Sequence, residues 1–273
     1  MIYSTEGKPL LLQEAIKVIK DDKIRKNRII IKNDITKEVI HDVTNKVVVA
    51  GSAFTAQKHF NINAPVKTPT YNNVLNLENT VNETNADPGL RRDEMVCLFA
   101  IGNDGCGPEQ HQVFDVKYGS WIKVENLIPL RYCPKNSDLS DIDRGKYFGR
   151  KVTDDRYIYY FKAFETQPQF EQRYIDGTPI DENIYSSTKT EDIESFVQIK
   201  LKITSDDCRE YFKAINDTKG SKISSISLLT AWKKNVGGKI YYQDIRPLTK
   251  LHFPNESLLE DSKALDITYL IFY

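Results

Sequence analysis

The clearest hydrophobic pattern in the chain lies between residues 197 and 204. Apolar side chains occupy the odd positions of this segment and polar side chains the even ones. The apolar set is Val197, Ile199, Leu201 and Ile203, and the polar set is Gln198, Lys200, Lys202 and Thr204. A period of two residues predicts a β-strand with one face buried and the other in water.

Further segments are rich in β-branched, aromatic and other apolar residues, which favour strands. The run at 95–104 leads into a glycine-rich turn, as expected of a buried strand. Gly237-Gly238 separates two apolar segments and predicts a hairpin. The C-terminal LDITYLIFY is so strongly β-prone that we expect it to pair inside a sheet and not on a free edge. The other predicted strands cover 28–32, 45–50, 121–132, 156–164 and 223–232.

Helical periodicity is confined to shorter stretches. Apolar positions three and four residues apart predict an amphipathic helix over 9–24. A helical turn is predicted over 53–60, with Ser52 as its cap. A third helix is predicted over 206–216, where two aspartates lie near the expected N-terminus.

Residues 61–94 differ in composition from the rest of the chain. This segment has eight asparagines between Asn61 and Asn85, three prolines and few aromatic residues, a composition that favours turns and extended loop. A loop of this length inside a compact domain is either functional, held by a partner, or laid across a sheet as a surface loop. The sequence leaves these alternatives open.

The order of these elements predicts a mainly β chain. Six or more strands with one inserted helix, and no alternation of strands with helices, indicate an antiparallel β-sandwich that is jelly-roll-like. We expect residues 1–60 to form an N-terminal helix and extended arm, 61–94 a long polar loop, and 95–273 the β-sandwich domain. No internal repeat of 20–50 residues is present.

Charge and hydropathy exclude several classes of function. The 38 basic and 38 acidic residues give a net charge of +0 at pH 7, whereas nucleic-acid-binding proteins usually carry a basic surplus. No apolar run approaches the length of a membrane span. The N-terminal apolar stretch is too short for a signal-peptide core, so we expect a protein made in the cytoplasm, with no membrane and no specific nucleic acid as partners.

Two sets of residues have spacings that a metal ion could use. The zinc candidates are Cys97, Cys106, His111 and Cys133, and the calcium candidates are Asp138, Asp141 and Asp143. The first set lacks the tight Cys-x2–4-Cys knuckle of structural zinc sites. The second lacks the glycine and glutamate of a calcium loop, which favours an acidic turn or a helix cap. We therefore expect free thiols, no metal and no cofactor.

Recognised catalytic motifs are missing as well. The chain has no GxGxxG, GxxxxGK[ST], GxSxG or HExxH, so we expect no enzyme and no catalytic residue. Two other classes of function stay open, an enzyme with an unrecognised site and a carbohydrate-binding module. Cys106 and His111 would make a nucleophile and its base if they meet in space, and Trp121 or Trp232 beside an acid would suit a carbohydrate.

The aromatic residues suggest contacts between subunits. Tyr and Trp bury a large area at low entropy cost and keep a polar end, which favours them at interfaces. The segment 61–94 is one candidate for such a contact. The aromatic run of Tyr157, Tyr159, Tyr160 and Phe161 is another, although a place in the core is the favoured interpretation of that run.

Several segments of the C-terminal half, roughly residues 95–273, form a recognisable series. LFAIGNDGCG is followed by LIPLRY, and ISSISLLTAW by DIRPLTKLHFPNESLLEDSKALDITYLIFY, while TNKVVVAGSAF lies upstream. This series resembles the virion structural proteins of tailed bacteriophages. Cys106 among the turn glycines and the segment 61–94 depart from the pattern. Its closing part is carried by Leu251, Phe253, Pro254, Lys263, Leu265, Ile267, Tyr269, Ile271 and Tyr273.

The resemblance implies assembly and not catalysis. It implies a collar or neck protein of the virion that forms a homo-oligomeric ring around the head–tail connector, with portal, capsid or tail subunits as partners. Capsid decoration, a tail or baseplate role, and a carbohydrate-binding β-sandwich are the alternatives. Because a ring repeats one head-to-tail interface, its subunits need two different, matching faces, and the N-terminal arm could supply one of them.

Overall fold

The elements whose bounds the structure gives are two antiparallel β-sheets, two short α-helices and one 3-10 helix at Val124–Asn126. The computed structural model describes residues 28–44, 46–47, 94–107, 112–116, 122–174, 193–216, 221–258 and 264–272, together with 51, 54, 55, 58, 71, 75, 77 and 179. The helices are α1 (Asp141–Arg144) and α2 (Arg209–Ala214).

The smaller sheet has five strands, and its central strand is the last strand of the chain. The strands are β1 (Arg28–Asn33), β2 (Val39–Thr44), β9 (Gln169–Tyr174), β10 (Ile193–Ile203) and β13 (Leu265–Phe272), in the order β2-β1-β13-β10-β9. β13 pairs with β1 on one side and with β10 on the other. The prediction that the C-terminal strand pairs inside a sheet is therefore confirmed.

The larger sheet has eight strands. Its main path is β3-β12-β11-β4-β8-β6, with β5 paired to β4 and β7 paired to β8. The strands are β3 (Lys46–Val47), β4 (Glu94–Gly102), β5 (Leu127–Ile128), β6 (Arg131–Pro134), β7 (Tyr147–Val152), β8 (Arg156–Ala163), β11 (Lys222–Val236) and β12 (Lys239–Ser257). β11 and β12 form a long hairpin that turns at Gly237-Gly238, as predicted.

The two sheets face each other across one apolar core. Alternate positions of β1, β10 and β13 supply one side of it, and β4, β11 and β12 the other. The smaller sheet contributes Ile29, Ile31, Ile199, Leu201, Ile203, Leu265, Ile267, Tyr269 and Ile271, and the larger sheet Phe99, Ile101, Ile226, Leu228, Leu251 and Phe253. The predicted class, a mainly β chain with antiparallel sheets in a sandwich-like arrangement, is confirmed.

A second apolar cluster covers the other face of the larger sheet. Leu98, Ala100, Leu229 and Ala231 alternate with the residues of the main core, so the middle of this sheet is buried on both faces. The same cluster contains Tyr71, Leu75, Leu77, Ile122, Leu127, Phe148, Tyr160, Phe161 and Ile245. The middle of the larger sheet therefore packs on both of its faces.

The remaining predictions concern the helices, the strand over 197–204 and the N-terminal arm. The helix predicted over 206–216 forms as α2, and the strand predicted over 197–204 forms the second half of β10. The smaller sheet contains β1 and β2 from residues 28–44, and the larger sheet contains β3 from residues 46–47. Both sheets therefore include strands from the segment 1–60, which was predicted to be an N-terminal helix and extended arm. The helix predicted over 9–24 and the Ser52 cap lie outside the described residues, although residues 51, 54, 55 and 58 are helical.

Candidate interaction cleft

A cleft of about 490 Å³ opens on the larger sheet between β7 and the tip of the β11–β12 hairpin. β7 lies beyond β8 at one end of this sheet, whereas β12 lies near the other end. Side chains of the two strands nevertheless touch. The ring centroids of Phe148 on β7 and Tyr242 on β12 are 4.4 Å apart in an edge-on arrangement. The larger sheet is thus curled around its second apolar cluster, and the cleft occupies the gap between the ends.

Glycine shapes the β7 wall of the cleft. Gly149 has a φ of +70°, and a Cβ atom at this position would lie 2.2 Å from the Cδ2 atom of Phe161. Phe161 is fully buried in the second apolar cluster. The absence of a side chain at Gly149 therefore lets the aromatic ring pack directly under the β7 backbone.

Asp138 organises the charged rim next to this wall. Its carboxylate accepts hydrogen bonds from Arg144, from Arg150 at 3.1 Å and from the Tyr159 hydroxyl at 2.7 Å. Ser140 caps α1 by accepting from the Asp143 backbone N–H. The prediction of an acidic turn or helix cap over Asp138–Asp143 is confirmed, and these contacts hold two arginines at the mouth of the cleft.

The hairpin tip forms the opposite wall. Gly237 and Gly238 both have positive φ, as a two-residue turn requires, and the Asn235 side chain accepts a hydrogen bond from the Gly238 N–H at 3.1 Å. The first residues of β12 then line the cleft, among them Lys239, Ile240 and Tyr241. Val236 and Ile240 are exposed apolar residues at this tip.

Both walls are strand edges. Within the part of the chain that the structure describes, β7 pairs only with β8, and β12 pairs with β11 throughout but with β3 only at Thr249 and Lys250. The outer edges of β7 and of Lys239–Gln243 thus have no strand beside them among the described residues. Such edges present backbone N–H and C=O groups to whatever enters the cleft.

The chemistry of the cleft suits binding. Burial, followed by the nearby Asp138, raises the pKa of Tyr159, and burial with the nearby Asp207 raises the pKa of Tyr147. Burial also raises the pKa of Tyr242 to about 12. These phenols stay neutral near pH 7, so they act as hydrogen-bonding and stacking groups. The charged lining consists of Arg144, Arg150, Lys239 and Asp141.

A buried ion pair anchors the base of the cleft to the smaller sheet. Lys162 on β8 and Asp207, which precedes α2, have side chains that are 1% and 0% exposed and lie 3.1 Å apart. Asp207 also accepts from the Tyr147 hydroxyl at 2.7 Å and from the Thr204 N–H at 2.6 Å. Sequence reasoning placed Asp207 near a helix start but gave no signal for its partner, which is 45 residues away.

Of the predicted nucleophilic pair, Cys106 and His111, the structure describes only Cys106. Cys106 is buried and forms an isolated backbone bridge with Val113, while His111 lies outside the described residues. All four cysteines are free, as expected. Burial raises the pKa of Cys97 to about 12 and the pKa values of Cys133 and Cys208 above their usual range, which makes these three thiols poor nucleophiles.

The aromatic residues that the sequence analysis named as candidate contact residues differ in burial. Tyr159, Tyr160 and Phe161 are buried and Tyr157 is half-buried against the main core, so the favoured interpretation of this run as core is confirmed. Trp232 is half-buried with Lys234 5.0 Å above its ring, and Trp121 lies outside the described residues. In the segment 61–94, the described Tyr71, Leu75 and Leu77 are buried in the second apolar cluster.

The motifs that carry the phage resemblance are spread over both sheets. Leu251 and Phe253 lie on β12 of the larger sheet, whereas Leu265 to Ile271 lie on β13 of the smaller one. The closing segments of the series therefore cross the core and do not pair with each other. In the glycine turn, a Cβ at Gly105 would lie 1.8 Å from the Ser224 carbonyl oxygen, so only glycine fits there.

A third polar cluster lies next to this turn. Asp104 accepts from the Ser225 hydroxyl and from the Lys250 ammonium, each at 2.6 Å. Burial lowers the pKa of Lys250, and the nearby carboxylate opposes that shift. Ser225 lies on β11 and Lys250 on β12, and both donate to the Asp104 carboxylate. This cluster therefore holds the glycine turn against the two strands.

Among the described residues there is no group of three or more His, Cys, Asp or Glu side chains placed to hold a metal ion. Within the same part of the chain, no helix has both the length and the apolar composition needed to cross a membrane. Comparison of the chain with protein-family models, with curated proteins and with solved structures gives no match.

Proposed function

We propose that this chain is a non-enzymatic structural component of a tailed-phage virion. In this proposal it is a collar or neck protein that assembles as a ring around the head–tail connector, with portal, capsid or tail subunits as neighbours. The sequence series in the C-terminal half supports the virion class. The support for assembly comes from the cleft.

The observation that carries the proposal is the gap between two strand edges in the larger sheet. β7 and the start of β12 face one cleft, and neither has a second strand partner among the described residues. Proteins cover or pair such edges because they otherwise recruit other chains. A subunit of an ordered assembly can use such an edge as a contact, and heterologous contacts form a ring when the rotation between subunits closes.

The proposal is tested by locating the protein in particles. Virions purified from an infected host would be analysed by quantitative mass spectrometry, and antibody-bound gold would mark the protein in electron micrographs. We expect a fixed copy number per particle and label at the head–tail junction. Label spread over the capsid would move the assignment to decoration, and label on the tail to a tail or baseplate role. Absence of the chain from washed particles would contradict a virion role.

A carbohydrate-binding module is the second candidate, and one feature of the cleft favours it. Tyr241 and Tyr242 are half-buried and line the cleft with Asp141 and Arg144. Half-exposed aromatic rings beside polar side chains suit a sugar ring. A glycan array probed with the full-length chain tests this candidate. Saturable binding to one glycan class that Tyr241→Ala removes would support it, and an array without signal would count against it.

A further inference from the structure

We propose that the cleft receives the Phe170 side chain of a neighbouring copy of this chain, as the aromatic anchor of the contact between adjacent subunits. This inference rests on the proposed ring assembly, which it deepens by naming that contact. The contact joins an edge of the smaller sheet in one copy to the cleft on the larger sheet of the next.

Phe170 is an aromatic side chain that its own subunit leaves uncovered. It lies on the edge strand β9, directly opposite Val197 of β10, and side chains paired in this way share one face of a sheet. Val197 packs against the main core, so Phe170 lies on the core-facing side of the smaller sheet. It is nevertheless 65% exposed and does not line the cleft of its own subunit. A strand-held ring loses little conformational freedom when a partner covers it.

The cleft offers aromatic walls to such a ring. Phe148 on β7 and Tyr242 on β12 are in contact, so the cleft admits a side chain from its open side and not a further strand. Tyr241 lines it as well and is half-buried. Its volume of about 490 Å³ exceeds that of one phenyl ring. Aromatic rings prefer edge-on or offset contacts with one another, and these side chains supply both edges and faces.

Exposed apolar side chains flank the mouth of the cleft. Ile142 lies on α1 next to Asp141, which lines the cleft, and is 77% exposed. Ile240 lines the opposite wall at the hairpin tip and is 38% exposed. An anchor in a pocket, surrounded by contacts that exclude water, is the usual arrangement of a binding hot spot. A neighbouring copy that inserts Phe170 therefore also covers this rim.

Charge favours the same pairing. With Asp138, which holds both arginines of the cleft, the charged residues around it are three cations and two carboxylates, a net charge of +1. Lys239, the third cation, is exposed and makes no ion pair with another described residue. On the donor side, Glu171 is exposed next to Phe170 and has no ion-pair partner within the described ranges. Opposite charges at the rim steer the two surfaces together and fix their register.

The contact is heterologous, because the donor and acceptor surfaces are different parts of the chain. The donor is the edge of the smaller sheet at β9, and the acceptor is the cleft between β7 and the β11–β12 hairpin tip. Each copy donates to one neighbour and accepts from the next, which generates a ring when the rotation closes.

Truncation of the anchor tests the proposal directly. Sedimentation velocity and mass photometry of full-length Phe170→Ala would give the concentration at which half of the chain is assembled. We expect that concentration to rise at least tenfold, as for a hot-spot residue. Ile35→Ala is the matched control, because Ile35 is 66% exposed but lies in the β1–β2 turn. We expect it to assemble like the wild type.

Charge reversal tests which surfaces meet. Glu171→Lys and Lys239→Glu should each weaken assembly about fivefold, and both changes in one chain should restore it, because the opposite charges are then exchanged. Glu171→Lys combined with Lys200→Glu has the same net charge but should not be restored, since Lys200 is exposed on β10 and does not line the cleft. Urea midpoints equal to that of the wild type check that each variant folds.

Three results would overturn the contact. They are assembly that Phe170→Ala leaves unchanged, loss of assembly to the same degree in Ile35→Ala, and no recovery in the chain with both Glu171→Lys and Lys239→Glu. A wild-type chain that stays monomeric at every concentration would overturn it too.

The location of the protein separates this inference from the proposed function. Rings that persist in Phe170→Ala would overturn the contact and leave ring assembly standing. A chain that is absent from particles, but whose oligomers depend on Phe170 and on the charge exchange, would overturn the virion role and leave the contact standing. Rings that are lost in Phe170→Ala, from a chain found at the head–tail junction, would support both.

Discussion

Gly149 is the residue on which the wall of the cleft depends most directly. Alanine there combines a left-handed backbone with a Cβ inside the van der Waals radius of the Phe161 ring. The backbone alone costs about 1–2 kcal/mol and overpacking about 1–3 kcal/mol more. We expect Gly149→Ala to lower the free energy of unfolding by about 2–5 kcal/mol in urea titrations.

Gly237 provides the matched control for this prediction. It also has a positive φ, but no atom lies within 4 Å of the position that a Cβ would take. Gly237→Ala should therefore show only the backbone cost, about 1–2 kcal/mol. Equal losses in the two variants would contradict the packing of Phe161 under Gly149.

His252 makes the fold sensitive to mild acid. Its Nδ1 atom donates to the Phe114 carbonyl oxygen at 2.7 Å, and Nε2 is buried with no hydrogen-bond partner among the described residues. Burial lowers the pKa of this imidazole. Below pH 6.5 the unfolded chain takes up the proton more readily than the folded one, so the free energy of unfolding should fall from pH 7 to pH 5.

The His252→Gln variant tests this origin of the acid sensitivity. Glutamine is polar but does not titrate, so part of the loss of stability between pH 7 and pH 5 should disappear in urea titrations at each pH. Parallel profiles for wild type and variant would show that other groups cause the decline.

At this scale, sequence reasoning succeeds where the determinants are local. The acidic turn at Asp138–Asp143 follows from spacing within six residues. The contacts of Asp138 with Arg150 and Tyr159 bridge 12 and 21 residues, and no local pattern encodes them.

At the scale of elements, the ion pair of Lys162 and Asp207 ties α2 and the end of β10 to the larger sheet. Removing one partner leaves a buried charge uncompensated, which costs about 3–5 kcal/mol. We expect that loss of unfolding free energy in Lys162→Met. The double variant with Asp207→Asn should lose less than the sum of the single variants, as a double-mutant cycle would show.

An exposed ion pair on α2 supplies the control. Lys213 and Glu210 are both 61% exposed, and such pairs contribute about 0–1 kcal/mol. Lys213→Met should therefore change the stability by less than about 0.5 kcal/mol. A loss in Lys162→Met as small as this would contradict a buried role for the pair.

Strands that bury apolar side chains at regular positions could be predicted from the sequence, and strands without such a pattern could not. β13 and the β11–β12 hairpin are apparent from the sequence because β-branched residues, alternation and a Gly-Gly turn coincide. β9 has no such signal, because most of its side chains are exposed and polar. β7 is interrupted by Gly149 and two cations, so its alternation is lost although Tyr147 and Phe148 are buried.

At the scale of the whole molecule, the cleft itself was not predictable. It forms because the curled sheet brings Phe148 and Tyr242 together across 94 positions of sequence. Of the residues that line it, the sequence singled out Asp141 in an acidic turn, Gly237-Gly238 as a hairpin turn, and Tyr159 in an aromatic run for which a place in the core was favoured. Tyr241 and Tyr242, just after that turn, are a local signal that the sequence analysis did not use.

The exposed hairpin tip should matter for assembly and not for folding. Val236 and Ile240 are 43% and 38% exposed, so Val236→Ser with Ile240→Ser should change the free energy of unfolding by no more than about 0.5 kcal/mol per site. Because both residues flank the cleft, the double variant should form fewer oligomers at equal concentration. Sedimentation velocity checks the second part, and unchanged oligomers would argue against this wall as a contact.

In the proposed function, the chain is a subunit that assembles into rings. Mass photometry of the full-length protein over a concentration range, with negative-stain images of the same samples, tests it most directly. We predict one closed species of fixed copy number that forms as concentration rises, together with round particles that have a central opening. A single monomeric species at every concentration, with no rings in the images, would contradict the claim.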